Sequence, residues 1–422
     1  MAKVIASGLV AFLFVTPAAP QLQPTQKKEN RSATTSLNKK TGIDAGRIIR
    51  LQSRMQSFVN QGRAPGMVTL IAHKGTVVSL SAIGVQDLDT GRPMKNDTIF
   101  QVASMTKPIT AAGIMMLVED GLLALSDPIQ KFLPKFADIQ LIVSAAERVQ
   151  GSELSEVRKP SRPPMIRDLL THTSGMGSGY PESIKDLFDK RDLTLAEAVD
   201  IFAKRPLEFE PGSQWGYSNM GIAVLGRIIE IVSGRKYQEF INERIFKPLG
   251  MKDSHFFVPE EKYNRIASIY LLEGGKLKKA KLDIYHTGAI YSSPEAGLYS
   301  TAPDLFRFYQ MMLNGGTLDG QQILSSASVD LMTRVHTGDL PAGFSPGVGF
   351  GLGWSVVKNV EGMFRFNSIG TFSHGGLYKT YGFADPVKEL IGIILLQRLS
   401  SDGDLADEIN TFVAMSSLTV LN

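Results

Sequence analysis

Ser104-Met105-Thr106-Lys107, followed by Pro108-Ile109-Thr110-Ala111-Ala112-Gly113-Ile114-Met115-Met116-Leu117-Val118, is the stretch on which the reading of this chain turns. Its apolar run predicts a buried helix over about 105–120, stopped by Gly121. Ser104 and Lys107 stand three residues apart at the mouth of that helix, so their side chains share one face, a turn apart. A helix N-terminus favours a developing serine alkoxide through its dipole, and its free N–H groups can face an oxyanion. A neighbouring Lys ammonium favours the alkoxide further, whereas a desolvated, neutral Lys can remove the proton itself. Alone the tetrapeptide is weak, because it recurs by chance and Ser104 could simply cap the helix. Pro108 disfavours helical geometry at Lys107, so the helix must begin close to Ser104.

Upstream, Ile48, Leu51, Met55 and Phe58 recur at spacings of three or four and predict an amphipathic helix from Asp44 to near Gly62. Met67–Ala72 and Thr76–Ile83 are β-rich runs joined by His73-Lys74-Gly75, a hairpin signature. Downstream, residues 122–289 read as mostly helical, with clear helices at 194–204 and 221–233 and a charged, Pro-containing loop at 150–164. Strand character returns at Phe350–Val357, Gly382–Asp385 and Leu390–Leu396, before a polar helix at about 402–415. Strands at both ends around a helical middle predict one α/β sandwich whose sheet the C-terminal part completes. The α/β part would span about 44–121 and 290–422, with the helical part inserted at 122–289.

Two further stretches carry chemistry. Trp215-Gly216-Tyr217-Ser218-Asn219 lies after Pro211-Gly212, just before a helix. A loop Tyr can project into a cleft and act as base if cations lower its pKa; otherwise Tyr217 packs its ring and Asn219 caps the helix. Ser373-His374-Gly375-Gly376-Leu377 precedes the strand-like Tyr381–Asp385. Its glycines would let an edge strand approach a ligand and offer an N–H to a carbonyl, or else form a plain turn.

The order Ser104, Tyr217, His374 resembles the serine β-lactamase and penicillin-recognising superfamily, in which Ser-x-x-Lys, Tyr-x-Asn and a Lys-Thr-Gly-like triplet follow one another. Ser104/Lys107, Tyr217/Asn219 and His374-Gly375-Gly376 match those motifs. Ile166–Gly175, Phe246–Met251 and Gly297–Leu305 look like the same family, so the resemblance covers roughly residues 45–415. Within it the chain is most similar to the class C β-lactamase-like branch and to family VIII carboxylesterases, with Ser-Met-Thr-Lys and a triplet ending Gly-Gly. The resemblance implies a mainly antiparallel sheet flanked by helices and acyl transfer through a covalent serine ester. Ser104 would attack, Lys107 and Tyr217 would share the proton work, and Asn219 would orient Lys107 or a substrate polar group. The N–H groups of Ser104 and Leu377 would form the oxyanion hole, and water steered by Tyr217 would release the acid. His374 and Gly375 replace the Lys and Thr that help to hold a β-lactam carboxylate, which argues against strong β-lactamase or peptidase activity.

A rival serine lies in Gly343-Phe344-Ser345-Pro346-Gly347, a Gly-x-Ser-x-Gly match. A nucleophile elbow requires strand, tight turn and helix, whereas Pro346 and the strand-like run from Val348 predict a loop. The readings left open are a short-chain carboxylesterase, a weak β-lactamase or cephalosporinase, a D-amino-acid peptidase, and, in another class, a slow penicillin-binding sensor or structural homologue.

Composition narrows the rest. The formal charge of +4 is carried by residues 1–45, with six basic and two acidic side chains, so the body is neutral, which argues against a nucleic-acid groove. The absence of Cys excludes disulfides, zinc-thiolate sites and a cysteine nucleophile. The six histidines offer no helical ligand pair, so neither metal nor cofactor is expected; His172 is expected to satisfy a local turn and His374 alone to reach the cleft. Trp215, Trp354, Phe306 and Met312 are expected to pack. Residues 4–19 are apolar, follow Lys3 and end in small residues, which predicts a signal peptide over 1–19, a polar linker over 20–43, a catalytic domain over 44–422 and a periplasmic or secreted enzyme without a stable membrane span.

Overall fold

A computed structural model describes residues 41–143, 156–282, 284–361, 366–400 and 407–421. The expected signal segment, the linker as far as residue 40, the first part of the 150–164 loop and the start of the last helix lie outside the described residues. The end of the expected linker belongs to the fold, because Ile43 is buried and bridges Val420.

Helix α1 (Ala45–Asn60) starts where the Asp44 side chain accepts the Arg47 N–H, and it buries the stripe Ile48, Leu51, Met55 and Phe58. Strands β1 (Gly66–His73) and β2 (Thr76–Asp87) form the expected hairpin. Its two turn residues, Lys74 and Gly75, have φ of 50° and 76°, a handedness that suits the twist of the flanking strands. β1 is buried along its whole length because it sits inside the sheet, and β3 (Arg92–Pro93) ends the sheet beyond β2.

A 3-10 turn over Ala103–Thr106 leads into α2 (Lys107–Glu119). Pro108 therefore falls in the first helical turn, where its missing N–H would have had no intrahelical acceptor. α2 is buried nearly all round, from Lys107 to Leu117. In the middle of the chain α3 (Leu195–Phe202) carries a Thr194/Glu197 capping box. α4 (Asn219–Ser233) is capped by Ser218, whose Oγ accepts the Gly221 N–H at 2.9 Å. The cap is thus Ser218, not Asn219, and the Asn219 side chain is left free for the cleft.

The helical reading of 122–289 fails in its last part. Residues 270–279 form a hairpin of β4 (Tyr270–Glu273) and β5 (Lys276–Lys279), turned by Gly274 and Gly275, both at positive φ. Short alternating runs such as Lys276-Leu277-Lys278-Lys279 have too few apolar residues to signal a strand. After α5 (Ala302–Leu313), the expected strand Phe350–Val357 is two strands, β6 (Val348–Phe350) and β7 (Ser355–Val357), folded back on each other at Gly351–Trp354. The third motif, expected to precede a strand, is itself β8 (Phe372–Gly376), followed by β9 (Thr380–Asp385) and β10 (Leu390–Leu395). β11 (Arg398–Ser400) joins β4 in parallel, and α6 (Asp407–Ser417) closes the described chain.

The main sheet has the order β6-β7-β8-β9-β10-β1-β2-β3, antiparallel throughout. α1 and α6 cover one face through Phe58, Ile71, Ile394 and Phe412, while α5 and the helical layer cover the other. Within β8, β7 pairs with Phe372 and Ser373 alone, so the His374–Gly376 end overhangs as a free edge beside the 3-10 turn that carries Ser104. Among the described residues no helix is long and apolar enough to cross a membrane.

Candidate active site

The first two motifs meet at a buried ammonium. Lys107 is fully buried, and its Nζ donates to Ser104 Oγ at 3.0 Å, to Asn219 Oδ1 at 2.8 Å and to the Glu295 carbonyl at 2.8 Å. It also lies 4.7 Å from the centre of the Tyr217 ring. Burial pushes Lys107 down to about 7, against a partial upward pull from the negative charge of Glu295. Near neutral pH a substantial fraction is the free amine, which can take a proton from Ser104.

The backbone explains how Ser104 is presented. Ala103 holds φ of +48°, and Thr106 Oγ1 closes the turn on the Ala103 carbonyl at 2.6 Å. Ser104 is half-buried at the cavity wall, and its N–H lies in the first turn of the helical segment, where intrahelical acceptors are lacking. Among the described residues no hydrogen bond occupies the N–H of Ser104 or of Leu377. The two are brought close because β8 runs beside the turn, and Gly376 is needed for that approach. A Cβ there would lie 2.3 Å from the Val102 carbonyl oxygen and 2.2 Å from Thr380 Oγ1. Leu377 itself is exposed at the cavity mouth.

Tyr217 sits over Lys107, and its hydroxyl is close enough to Ser104 to influence its own ionisation. Burial raises its pKa, the Ser104 hydroxyl opposes this only partly, and the Glu295 charge adds to the rise. The condition under which Tyr217 would act as a base, nearby cations lowering its pKa, is not met in the resting site, where burial raises it; as a phenol it is suited to relaying a proton. Beneath it lies His172, which sits in the expected turn and also packs its ring on that of Tyr217. His172 has φ of 59°, its Nδ1 accepts the Ser218 N–H at 3.1 Å, and its ring lies 4.5 Å from that of Tyr217. Burial, with Lys107 and His374 nearby, holds it well below the usual imidazole range, so it is a neutral support for the tyrosine.

His374 is the histidine expected in the cleft, and it lines the cavity. Burial and then Lys107 push it down to about 3, although its bond of 2.8 Å to the Gly375 carbonyl opposes the shift. Because that carbonyl can only accept, Nδ1 carries the proton and Nε2 is left as a lone pair. The cavity measures about 490 Å³. Its wall is Tyr180, Phe188, Phe344 and Phe350 on the apolar side and Ser104, Tyr217, Asn219 and the His374–Leu377 edge on the reactive side. Among the described residues no Lys or Arg side chain lines it. Trp215 packs behind, against Tyr217, Phe344 and Phe350.

Ser345 also lines the cavity, yet it stands in a loop between Gly343, at φ of 81°, and β6, with no helix behind it. The expected loop reading holds. The features with no signal in the sequence are the Glu295 carbonyl, 188 positions from Lys107, and the aromatic wall supplied by Tyr180 and Phe344.

The β-lactamase family model matches residues 51–414. Protein Rv1367c of Mycobacterium tuberculosis is 35% identical over 362 residues, covering 82% of this chain and 89% of its own length. Esterase EstB of Burkholderia gladioli is 30% identical over 391 residues, 86% of this chain and 93% of the esterase. Among solved structures, EstCE1, described as a hydrolase with promiscuous acyltransferase activity, superposes with a TM-score of 0.76 at 26% identity, over 91% of this chain and 99% of that one.

Proposed function

Since the chain belongs to the β-lactamase family of serine hydrolases, we propose that it is a family VIII-like carboxylesterase that cleaves short-chain esters through an acyl-Ser104 intermediate. The observation that carries the reading is the 3.0 Å bond between Ser104 Oγ and a buried Lys107 whose pKa is lowered to about 7. Lys107 takes the serine proton as Ser104 attacks the ester carbonyl, and the Ser104 and Leu377 N–H groups receive the oxyanion. Asn219 fixes the direction of Nζ. Tyr217 passes the proton to the leaving alcohol and then steers the water that releases the acid. The fold of EstCE1 and the sequence of EstB support an ester as substrate. The reading includes export to the periplasm or medium, supported by the apolar run 4–19 after Lys3.

The choice of ester over β-lactam rests on charge. A β-lactam brings a carboxylate next to the scissile amide, and among the described residues the cavity wall offers it neutral hydroxyls, amides and a neutral His374 but no Lys or Arg. A neutral ester needs no such partner, and it is easier to cleave than an amide. Nitrophenyl esters of C2 to C6 acids should exceed a chromogenic cephalosporin in kcat/KM by at least roughly a hundredfold, or about 2.7 kcal/mol. Ser104→Ala should abolish ester turnover and Ser345→Ala should spare it. Equal turnover of cephalosporin, or phosphonate labelling of Ser345, would overturn the reading.

A further inference from the structure

Behind Lys107 lies a carboxylate to which the mechanism so far gives no task. Glu295 is completely buried, and among the described residues no Lys or Arg forms an ion pair with it. Its Oε1 accepts from Tyr180 Oη and, at 2.8 Å, from Ser293 Oγ, while Tyr291 Oη lies 3.2 Å from both oxygens. A carboxyl group buried among three hydroxyls is costly to place, and a purely structural position would be served as well by an apolar side chain.

The segment that carries it is clamped to α2. The Glu295 carbonyl takes Lys107 Nζ, and one turn along the helix the Pro294 carbonyl takes Thr110 Oγ1 at 2.6 Å. The turn is tight enough that a Cβ on Gly297 would lie 2.0 Å from the Ser292 carbonyl oxygen. Glu295 is therefore bonded to Lys107 through its main chain while its carboxylate is held away from ion-pair contact, at a distance that the clamp sets. The other groups around Lys107 are Ser104, Asn219, the phenol of Tyr217 and two imidazoles, His172 and His374, both held neutral. Tyr237 bonds Thr110 and is a phenol. The buried Arg191 guanidinium acts on Tyr180, which donates to Glu295, but forms no ion pair with Glu295 among the described residues; toward Lys107, it is Glu295 that opposes the lowering by burial.

We propose that Glu295 is a positioning residue for acylation: its carboxylate, fixed by Tyr180, Tyr291 and Ser293, is the counter-charge that governs the proton on Lys107 and so sets the pH at which Ser104 reacts. This rests on the reading of Lys107 as the base for Ser104. Direct pairing would lock Lys107 as an ammonium, whereas removal of the charge would leave burial unopposed. The wall residue Tyr180 both lines the cavity and donates to Glu295, so the acyl pocket and the base share one hydrogen bond.

The test is the pH dependence of Ser104 labelling by a fluorophosphonate, read by intact-protein mass. The wild-type rate should rise through an acid limb near pH 7. Glu295→Gln should move that limb down by on the order of one pH unit, so that labelling at pH 6 is faster relative to its own plateau. Glu295→Asp, which keeps the charge, should leave the limb near its wild-type place. Glu295→Met, neutral and of similar length, serves if the Gln variant does not fold, and it must move the limb the same way. A limb that stays fixed in a folded neutral variant while only the plateau falls would overturn the proposal and leave Glu295 a structural residue. Failure of the wild type to be labelled at Ser104 would instead overturn the serine-hydrolase reading beneath it.

Discussion

Replacing Lys107 by Met should lower activity by a factor on the order of 10² or more and yet make the protein's stability less dependent on pH. Lys107 ionises near 10.5 when unfolded and at about 7 when folded. Below pH 7 both states hold the proton, so the cost of burying the ammonium is present in full. Between about 7 and 10.5 only the unfolded chain holds it, so wild-type stability rises with pH across that window. The cost at pH 7 is on the order of 4 kcal/mol and at pH 9 on the order of 2 kcal/mol, taking 1.36 kcal/mol per pH unit. Met escapes that cost but strands two buried acceptors, Asn219 Oδ1 and the Glu295 carbonyl, at about 1–3 kcal/mol each. The two effects roughly cancel at pH 7, so the absolute difference there decides nothing. Their pH dependence does, because the stranded acceptors do not titrate. Urea unfolding of both proteins at pH 7 and pH 9 should show the wild type gaining about 2 kcal/mol on Lys107→Met. An unchanged difference would mean that Lys107 keeps an ordinary ammonium in the folded state, and its role as base would fall.

Two other outcomes are expected. Tyr217→Phe should lower kcat/KM for a nitrophenyl ester by a factor on the order of 10², as should loss of Lys107, and the double variant should cost far less than the product because the two share one proton path; fully multiplicative losses would separate them. Gly376→Ala should displace β8 from Val102, lowering esterase activity and costing about 1–3 kcal/mol in thermal or urea unfolding, whereas unaltered activity would show that the strand edge does not form the oxyanion site.

What the sequence discloses and what it hides divide along the range of the interactions involved. α1 and the β1–β2 hairpin are written in local patterns, the four-residue apolar stripe and the Lys74-Gly75 turn. Ser104 and Lys107 are legible because one helical turn brings them together, and Tyr217, Asn219 and His374 are legible through family resemblance. β8 was hidden because Ser373-His374-Gly375-Gly376 has the composition of a turn, and only its partner β9 makes it a strand. His172 sits in the turn its neighbours signal, but its contact with Tyr217, 45 positions away, is a tertiary one that no local pattern carries. Glu295 gave no sign at all, because a main-chain carbonyl carries no residue identity and its partner is far away in the chain.

The three acceptors around Lys107 Nζ come from positions 104, 219 and 295. Two of these contacts close loops of over a hundred residues, and such contacts form late in folding, once the entropy of closure is offset. Until then Lys107 is a hydrated ammonium and Ser104 an ordinary alcohol. The nucleophile therefore does not exist in a partly folded chain, however much secondary structure that chain holds. Recovery of activity during refolding is therefore expected to lag behind the return of ellipticity, because it waits for the docking that brings Asn219 and Glu295 to Lys107.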